Sequence, residues 1–205
     1  MTLASAFATP AAVVAQPGNT WEIGPHIRGR NYSVGMPLHP APAGAGWSFD
    51  FPYPHAGAGH VHYVTFKPGR LAGASRILVR YRVEAPREVR FVPQEAPAAP
   101  ATVSLYLQRY GDSWSARRHE FHRWYAPVHT VRVIAPGEHE ITVSLGDPSW
   151  TSVNGRPVSA NPAAFHAALA ETERVGLVFG THGARGHGVF ATGPARFRLL
   201  SFRIL

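Results

Sequence analysis

The last thirty residues constrain the fold of this 205-residue chain more than any other segment. Residues 175–180 form an apolar run bounded at its end by glycine, which is typical of a strand buried on both faces. Residues 195–205 form a second long strand, apolar and basic, at the C-terminus. The loop between them, residues 181–188, contains too many glycines for a helix. Two long strands joined by such a loop predict an all-β sandwich that carries its chemistry on loops.

Several other segments alternate between apolar and polar residues with a period of two, the pattern of a strand with one buried face. In residues 102–110, for example, Val103 and Leu105 alternate with Ser104 and Tyr106. Further strands are predicted over residues 47–51, 60–66, 76–83, 118–125, 130–134 and 139–145. Short strands separated by Gly and Pro turns predict a single antiparallel β-sandwich of jelly-roll type.

One short helix is predicted, over residues 162–173. Asn161 is a favoured N-cap residue, and the proline that follows it is tolerated at the first helical position. Phe165 and Leu169 then form an apolar stripe at helical spacing.

The N-terminus resembles the apolar part of a secretory signal, but it lacks the basic residues that normally precede one. We therefore expect residues 1–20 to be a flexible leader or a signal-peptide remnant, with the true start of the chain left open, and residues 21–205 to form one domain. A signal remnant predicts a secreted or periplasmic protein. No other segment approaches the roughly 18 apolar residues of a membrane span, so none is predicted.

The net charge of +8 is spread along the chain. Only Lys67 is a lysine, and the longest basic run is Arg117–Arg118. Because nucleic-acid surfaces cluster their basic residues, we expect no nucleic-acid partner. Arginine in place of lysine, with abundant Ala, Gly and Pro, is typical of a GC-rich bacterial genome. The absence of cysteine excludes disulfides, thiolate metal sites and cysteine nucleophiles.

No segment carries a catalytic signature. A glycoside hydrolase needs two suitably spaced carboxyl groups, and the only same-face acidic pair within one segment is Glu138 and Glu140, which is better explained as a solvated strand edge. His60 and His62 share a strand face and would need a further ligand, from His182 or His187, to bind zinc or iron. We therefore expect no catalytic residue. No metal site is predicted, and whether His60 and His62 belong to one is left open.

Aromatic and planar polar side chains are the best candidates for a ligand site, because sugars lay apolar C–H faces on aromatic rings while amide and guanidinium groups bind their hydroxyls. Trp114 and Trp150 both follow turn residues, which favours a position at a pocket rim, whereas Trp47 and Trp124 are more easily explained as core. The predicted ligand-binding residues are Trp114, Arg117, Arg118, Trp150, Asn154, Tyr106 and Gln108.

The closing segments of the chain resemble the closing strands of galactose-binding-like jelly rolls. The likeness rests on residues 150–155, 175–180, 186–189 and 197–204 and on the helix around Phe165. Such domains are similar to the carbohydrate-binding modules that act beside bacterial polysaccharide enzymes. Many of those modules hold a structural calcium, but this chain has few acidic residues for one, and we expect no cofactor.

The resemblance implies a non-catalytic module that binds a carbohydrate or polysaccharide. A glycoside hydrolase or polysaccharide lyase on the same fold is the main alternative, since a lyase can use the Tyr, His and Arg that this chain has in plenty. A scaffold that binds another protein through an aromatic rim is the third. A shared fold does not decide between these functions.

Overall fold

The computed structural model describes residues 13–14 and 17–205, and over those residues it is an antiparallel β-sandwich. The predicted all-β class is confirmed, with a single α-helix. Residues 1–12 and 15–16, which make up most of the expected leader, lie outside the described residues. Val13–Val14 pairs with the C-terminal strand, and Gly18–Thr20 forms a 3₁₀ turn in which Gly18 is buried. The folded part of the chain thus begins before Trp21.

Strands are numbered in chain order. The first sheet consists of β1 (Val13–Val14), β5 (Ala41–Ala43), β6 (Gly46–Asp50), β8 (Arg76–Glu84), β13 (Gly137–Ser144) and β17 (Arg196–Ile204). Its order is β13-β8-β17-β6-β5, and β1 pairs with β17.

The second sheet consists of β2 (Glu22–Gly24), β7 (Tyr63–Phe66), β10 (Thr102–Arg109), β11 (Arg123–Tyr125), β12 (Arg132–Val133), β14 (Thr151–Ser152) and β15 (Thr172–Gly180). Its order is β14-β11-β10-β15-β7-β2, and β12 pairs with β10. Two small ribbons complete the fold, one of β3 (His26–Ile27) with β4 (Arg30–Asn31) and one of β9 (Phe91–Pro93) with β16 (Val189–Ala191).

The core lies between the two sheets because the long strands turn every second side chain inward. In β8, Ile77, Val79 and Tyr81 are buried, while Arg80 and Arg82 are exposed, as the alternation predicts. The strands β15 and β17 that frame the C-terminal loop belong to opposite sheets, so this loop carries the chain from one layer to the other.

Several predicted strands are shorter in the structure. The strand predicted over residues 118–125 is limited to β11, because a 3₁₀ turn precedes it. The strand predicted over residues 130–134 is limited to β12 for the same reason. The described part of the chain contains five such turns: Gly18–Thr20, Ala56–Ala58, Glu120–His122, Val128–Thr130 and Val158–Ala160.

The predicted helix is present as α1, Pro162–Ala170, and ends three residues before the predicted boundary. The Asn161 side chain accepts the Ala164 N–H, 3.1 Å away, and so caps it as expected. Phe165 and Leu169 pack into the core. None of the helices within the described residues is long and apolar enough to cross a membrane.

Candidate functional site

The face of the second sheet that points away from the core is unusual, because side chains at its centre are buried in a small cluster of their own. Alternation sends Val64, Leu105 and Trp124 into the core and the residues between them outward. The side chains and glycines that point outward, called here the outer face, are Glu22, Gly24, Tyr63, Thr65, Ser104, Tyr106, Gln108, Arg123, Tyr125, Thr151, Arg174, Gly176 and Val178.

Tyrosines form the centre of the outer face. Strand register places Tyr106 directly opposite Tyr125, and the ring centroids of Tyr63 and Tyr106 are 4.9 Å apart. All three rings are buried and form a small apolar cluster with Val178. Trp114 packs edge-on against the ring of Tyr63, with 5.4 Å between centroids, and covers the cluster from the solvent side.

Two adjoining cavities of about 440 and 480 Å³ run across this face, each within the range of about 300–1,000 Å³ usual for ligand sites. Pro25, Ile27, Tyr63 and Trp114 line both, so the two cavities form one groove. The first cavity is further lined by Glu22, Gly24, His26, Arg28, Thr65, Tyr106, Gln108, Asp112, Ser113, Glu173 and Arg174. The second is further lined by Arg30, Tyr32, Val34, His60, His62, Gln94, Glu95, Arg123, Tyr125, Val153, Gly186 and His187.

The β3–β4 ribbon forms one wall of the groove. Its turn, Arg28–Gly29, has positive φ at both residues, 52° and 79°, as a two-residue hairpin of this hand requires. The side chain of Asn31 fixes the ribbon to the sheet by donating to Ile23 O at 2.9 Å. Ile27 is therefore held over the outer face at a defined position.

The loop that carries Trp114 is fixed by Asp112. The Asp112 carboxylate is fully buried and accepts the backbone N–H of Trp114 and the side-chain amide N–H of Gln108, each at 2.9 Å. Its Oδ2 also lies 3.0 Å from Arg123 Nε. These contacts hold Trp114 at φ 62°, a left-handed conformation that costs a non-glycine residue free energy and is concentrated at functional sites.

Several buried polar atoms of the outer face have no hydrogen-bond partner among the described residues. They include the hydroxyl of Tyr106, the hydroxyl of Ser104 and Nη2 of Arg123. Tyr106 and Arg123 line the groove, and their side chains are 0% and 8% exposed. Because buried polar groups are nearly always hydrogen-bonded, unsatisfied donors that line a cavity require an explanation.

The hydroxyls in the groove are hydrogen-bond donors at physiological pH. Burial raises the pKa of Tyr63, Tyr106 and Tyr125, so all three stay protonated. The hydroxyls of Tyr63 and Tyr125 are 2.9 Å apart. One of them donates to the other, and the accepting tyrosine keeps its own O–H free for a third group.

His62 lies beside this tyrosine pair in the second cavity. Its Nδ1–H donates to Gly186 O at 2.7 Å, and burial, reinforced by the charges of His60 and His187, lowers its pKa to about 4. The imidazole is therefore neutral at physiological pH. Within the described residues, no group of three or more His, Asp or Glu side chains is arranged to hold a metal ion.

The C-terminal glycine-rich loop approaches the groove closely. A Cβ on Gly186, at φ 79°, would lie 2.1 Å from the hydroxyl oxygen of Tyr63. A Cβ on Gly188, at φ 95°, would lie 2.7 Å from Nε2 of His62. The glycines that exclude a helix in the sequence thus allow the loop to close the second cavity.

The structure brings together three of the seven predicted ligand-binding residues. Tyr106, Gln108 and Trp114 line the first cavity. Arg117 and Arg118 are exposed and line neither cavity. The predicted residues that do line the groove are thus Tyr106 and Gln108 of the outer face and Trp114, whose backbone Asp112 holds in place.

The other two predicted ligand-binding residues, Trp150 and Asn154, line neither cavity. Trp150 is fully buried, its indole N–H donates to Ser144 O at 2.9 Å, and its ring packs 5.7 Å from that of Phe165. The expectation that Trp150 lies at a rim is wrong, because a backbone carbonyl satisfies its one polar atom and the helix covers its ring. Asn154 is exposed, and its amide donates to Ala116 O.

The acidic pair considered for catalysis is on the other sheet. Glu138 forms an ion pair with Arg82 and lies 3.6 Å from Arg80, and all three side chains are about half exposed. Glu140 is also exposed, so the pair is the solvated strand edge expected from the sequence.

Most residues of the groove were not predicted as site residues, among them Tyr63, Asp112, Arg123, Tyr125 and Arg174. Alternation around Val64 and Trp124 predicts which way Tyr63 and Tyr125 point. Nothing in the sequence indicates that β11 pairs with β10 or that only β15 separates β7 from β10, and this strand order is what makes them one site.

No protein-family model, curated protein or solved structure matches this chain.

Proposed function

We propose that this protein binds a carbohydrate in the groove across the outer face of its second sheet. The observation that carries the proposal is that Tyr106 and Arg123 line the groove, while Tyr106 Oη and Arg123 Nη2 are buried and have no partner within the described residues. A ligand rich in hydroxyl groups supplies the missing acceptors. The β-sandwich and the resemblance of its closing strands to carbohydrate-binding modules agree with this, and a secreted or periplasmic location belongs to the same proposal.

The groove combines the two kinds of surface that a sugar needs. The half-buried ring of Trp114, which packs on the tyrosine cluster, offers apolar surface for C–H faces. Gln108 and Arg123 offer planar polar groups, and the Tyr63–Tyr125 pair has one free O–H. Arg123 also lies with Cζ 5.2 Å from the centre of the Trp114 ring, so stacking and polar groups are held in one rigid unit.

Three of the four carboxylates that line the groove, those of Asp112, Glu22 and Glu95, are already paired, which supports binding over glycoside hydrolysis. Hydrolysis needs two carboxyl groups free to act as acid and as base or nucleophile. Asp112 is already engaged by Gln108, Arg123 and the Trp114 backbone, and Glu22 is 2.6 Å from Arg174. These side chains hold the site together, which leaves them poorly placed for chemistry.

A polysaccharide lyase is the second candidate, because the second cavity groups the side chains that proton abstraction requires. The neutral imidazole of His62 and the Tyr63–Tyr125 hydroxyl pair are candidate proton carriers, and Arg123 is a nearby cation. Binding a protein through this surface is less well supported, since the groove is recessed and polar at its floor.

A pair of matched variants tests the proposal. Wild-type protein is screened by affinity electrophoresis against a polysaccharide panel, and the same samples are assayed for released unsaturated products. Tyr106→Phe removes one unpartnered hydroxyl and is expected to weaken binding about three- to tenfold. The free energy of unfolding is expected to stay constant or to rise by up to about 1 kcal/mol, because a buried unsatisfied group is removed. Tyr110→Phe is the control, because Tyr110 is 72% exposed at the end of the same strand.

Each result has a definite consequence. Equal binding by wild type, Tyr106→Phe and Tyr110→Phe would place the ligand elsewhere and contradict the proposal. Product release that His62→Gln abolishes would establish the lyase in place of the binding module.

A further inference from the structure

Positive charge is concentrated in the second cavity of the groove. The first cavity is lined by three carboxylates, those of Glu22, Asp112 and Glu173, together with two guanidinium groups. The second is lined by Arg30 and Arg123 and by a single carboxylate, Glu95, whose oxygen is 2.6 Å from His187 Nδ1. The two ends of the groove therefore differ in charge, and the second favours an anion.

A further guanidinium lies behind the second cavity without a carboxylate partner. Arg185 donates to Ala126 O and, at 2.8 Å, to Thr151 Oγ1, and its Cζ is 5.1 Å from the centre of the Tyr125 ring. None of the ion pairs between described residues includes it. Burial lowers the pKa of Arg185, as expected for a cation withdrawn from water without a counter-ion.

Asp112 neutralises only part of this charge. Its carboxylate contacts Nε of Arg123 and also accepts hydrogen bonds from the Gln108 amide and the Trp114 backbone N–H. Nη2 of Arg123 has no partner among the described residues. Burying a cation is costly unless it is paired and its hydrogen-bond donors are satisfied. Asp112 is the one carboxylate paired with either Arg123 or Arg185 among the described residues, and of these two it contacts Arg123 alone, which leaves room for a second anion.

We infer that the ligand is an anionic glycan, and that a carboxylate or sulfate group of one sugar residue binds the guanidinium group of Arg123 beside the Tyr63 and Tyr125 hydroxyls. The inference rests on the proposed carbohydrate-binding function and specifies its substrate class. A planar guanidinium suits either anion, and the free O–H of the tyrosine pair supplies a further donor to it.

The test compares acidic and neutral glycans that share a backbone. Wild-type protein is titrated at constant ionic strength with polygalacturonate and with its carboxyl-reduced form, and separately with dextran sulfate and with dextran. At least a tenfold preference for one acidic member over its neutral partner is expected, and the pair that shows it identifies the anion as carboxylate or sulfate. Equal affinity within each pair would overturn the inference and leave the proposed function intact. If the wider polysaccharide panel also gives no binding, the proposed function itself fails.

A net positive protein also attracts polyanions without specificity, so two variants separate the site from the overall charge. Arg123→Lys keeps the charge but loses the Nη2 donor, and it is expected to lower affinity for the preferred acidic glycan roughly tenfold. Arg203→Gln removes an exposed charge from the first sheet and is expected to lower it less than about twofold. Equal losses in both variants would overturn the inference. If Arg123→Lys does not fold, the wild-type comparison of matched glycans still decides.

Discussion

Trp114 and Trp150 both follow turn residues in the sequence, yet one lies over the groove and the other inside the core. The difference arises from hydrogen bonds that the local sequence does not reveal. The Trp150 indole N–H reaches Ser144 O, whereas the backbone of Trp114 is held by Asp112 in a left-handed conformation that turns its ring toward Tyr63. Identical residue types in similar loops therefore have opposite roles.

This contrast predicts opposite effects of two alanine substitutions. Trp150→Ala empties part of the core and is expected to cost about 3–5 kcal/mol of stability, measured by urea unfolding. Trp114→Ala loses the ring contacts with Arg123 and Tyr63, about 1–2 kcal/mol of stability, but is expected to weaken glycan binding by about 1–3 kcal/mol. A stability loss for Trp114→Ala as large as that for Trp150→Ala would show that Trp114 is a core residue.

At the scale of the elements, the outer face depends on how closely β15 approaches β7. Gly176 lies between Thr65 and Tyr106 in the register of the sheet. A Cβ at this position would be 2.2 Å from the carbonyl oxygen of Val64. No side chain can move to relieve this contact, since the neighbouring atom belongs to the backbone of the adjacent strand.

Gly176→Ala is therefore expected to push β15 and β7 apart and to cost about 1–3 kcal/mol of stability. Gly183→Ala is the control, because a Cβ on this exposed residue would have no other atom within 4 Å. Thermal unfolding of the two variants measures the difference. A Gly176→Ala protein as stable as Gly183→Ala would mean that the two strands separate without cost.

At the scale of the whole molecule, the two sheets have different roles. The outer side of the first sheet carries exposed ion pairs, such as that of Arg196 with Asp50. The second sheet buries tyrosines on the same side as its groove. Both sheets thus contribute one face to the core, and the second sheet also carries the candidate site on its other face.

Folding of the whole domain is expected to depend on pH through the second cavity. The pKa of His62 falls from 6.5 to about 4 on folding, and the pKa of His60 is lowered as well, chiefly by burial in both cases. The unfolded chain binds more protons between these values, so stability is complete above about pH 6.5 and is lost as pH falls toward 4. His62 alone is expected to lower the free energy of unfolding by about 3 kcal/mol at pH 4, relative to its value above pH 6.5.

Urea unfolding midpoints at a series of pH values measure this dependence. His62→Gln keeps a donor for the Gly186 carbonyl and does not titrate, so its stability is expected to fall less steeply below pH 6.5 than that of wild type. His182→Gln, at an exposed position of the same loop, is expected to follow wild type. Identical curves for wild type and His62→Gln would contradict the burial of a neutral His62.

Local patterns in the chain are sufficient to predict the class of fold and the direction of most side chains. Period-two alternation predicts that Ile77 and Val79 are buried and that Tyr106 and Gln108 point the other way, because successive side chains of a strand lie on opposite faces. The capped helix after Asn161 is likewise a local property of the chain. These features depend on neighbours within a few residues, which the sequence displays directly.

Which strands are neighbours, and therefore what the outward-facing residues form, is visible only in the folded chain. Tyr63, Tyr106 and Tyr125 lie far apart in the sequence, and only the order of β7, β15, β10 and β11 places them in one cluster. The burial of Trp150 and the pairing of Asp112 with Arg123 depend on the same long-range packing. Alternation fixes the face on which a side chain lies, but strand order across the sheet determines its partners, because residues distant in the chain meet there.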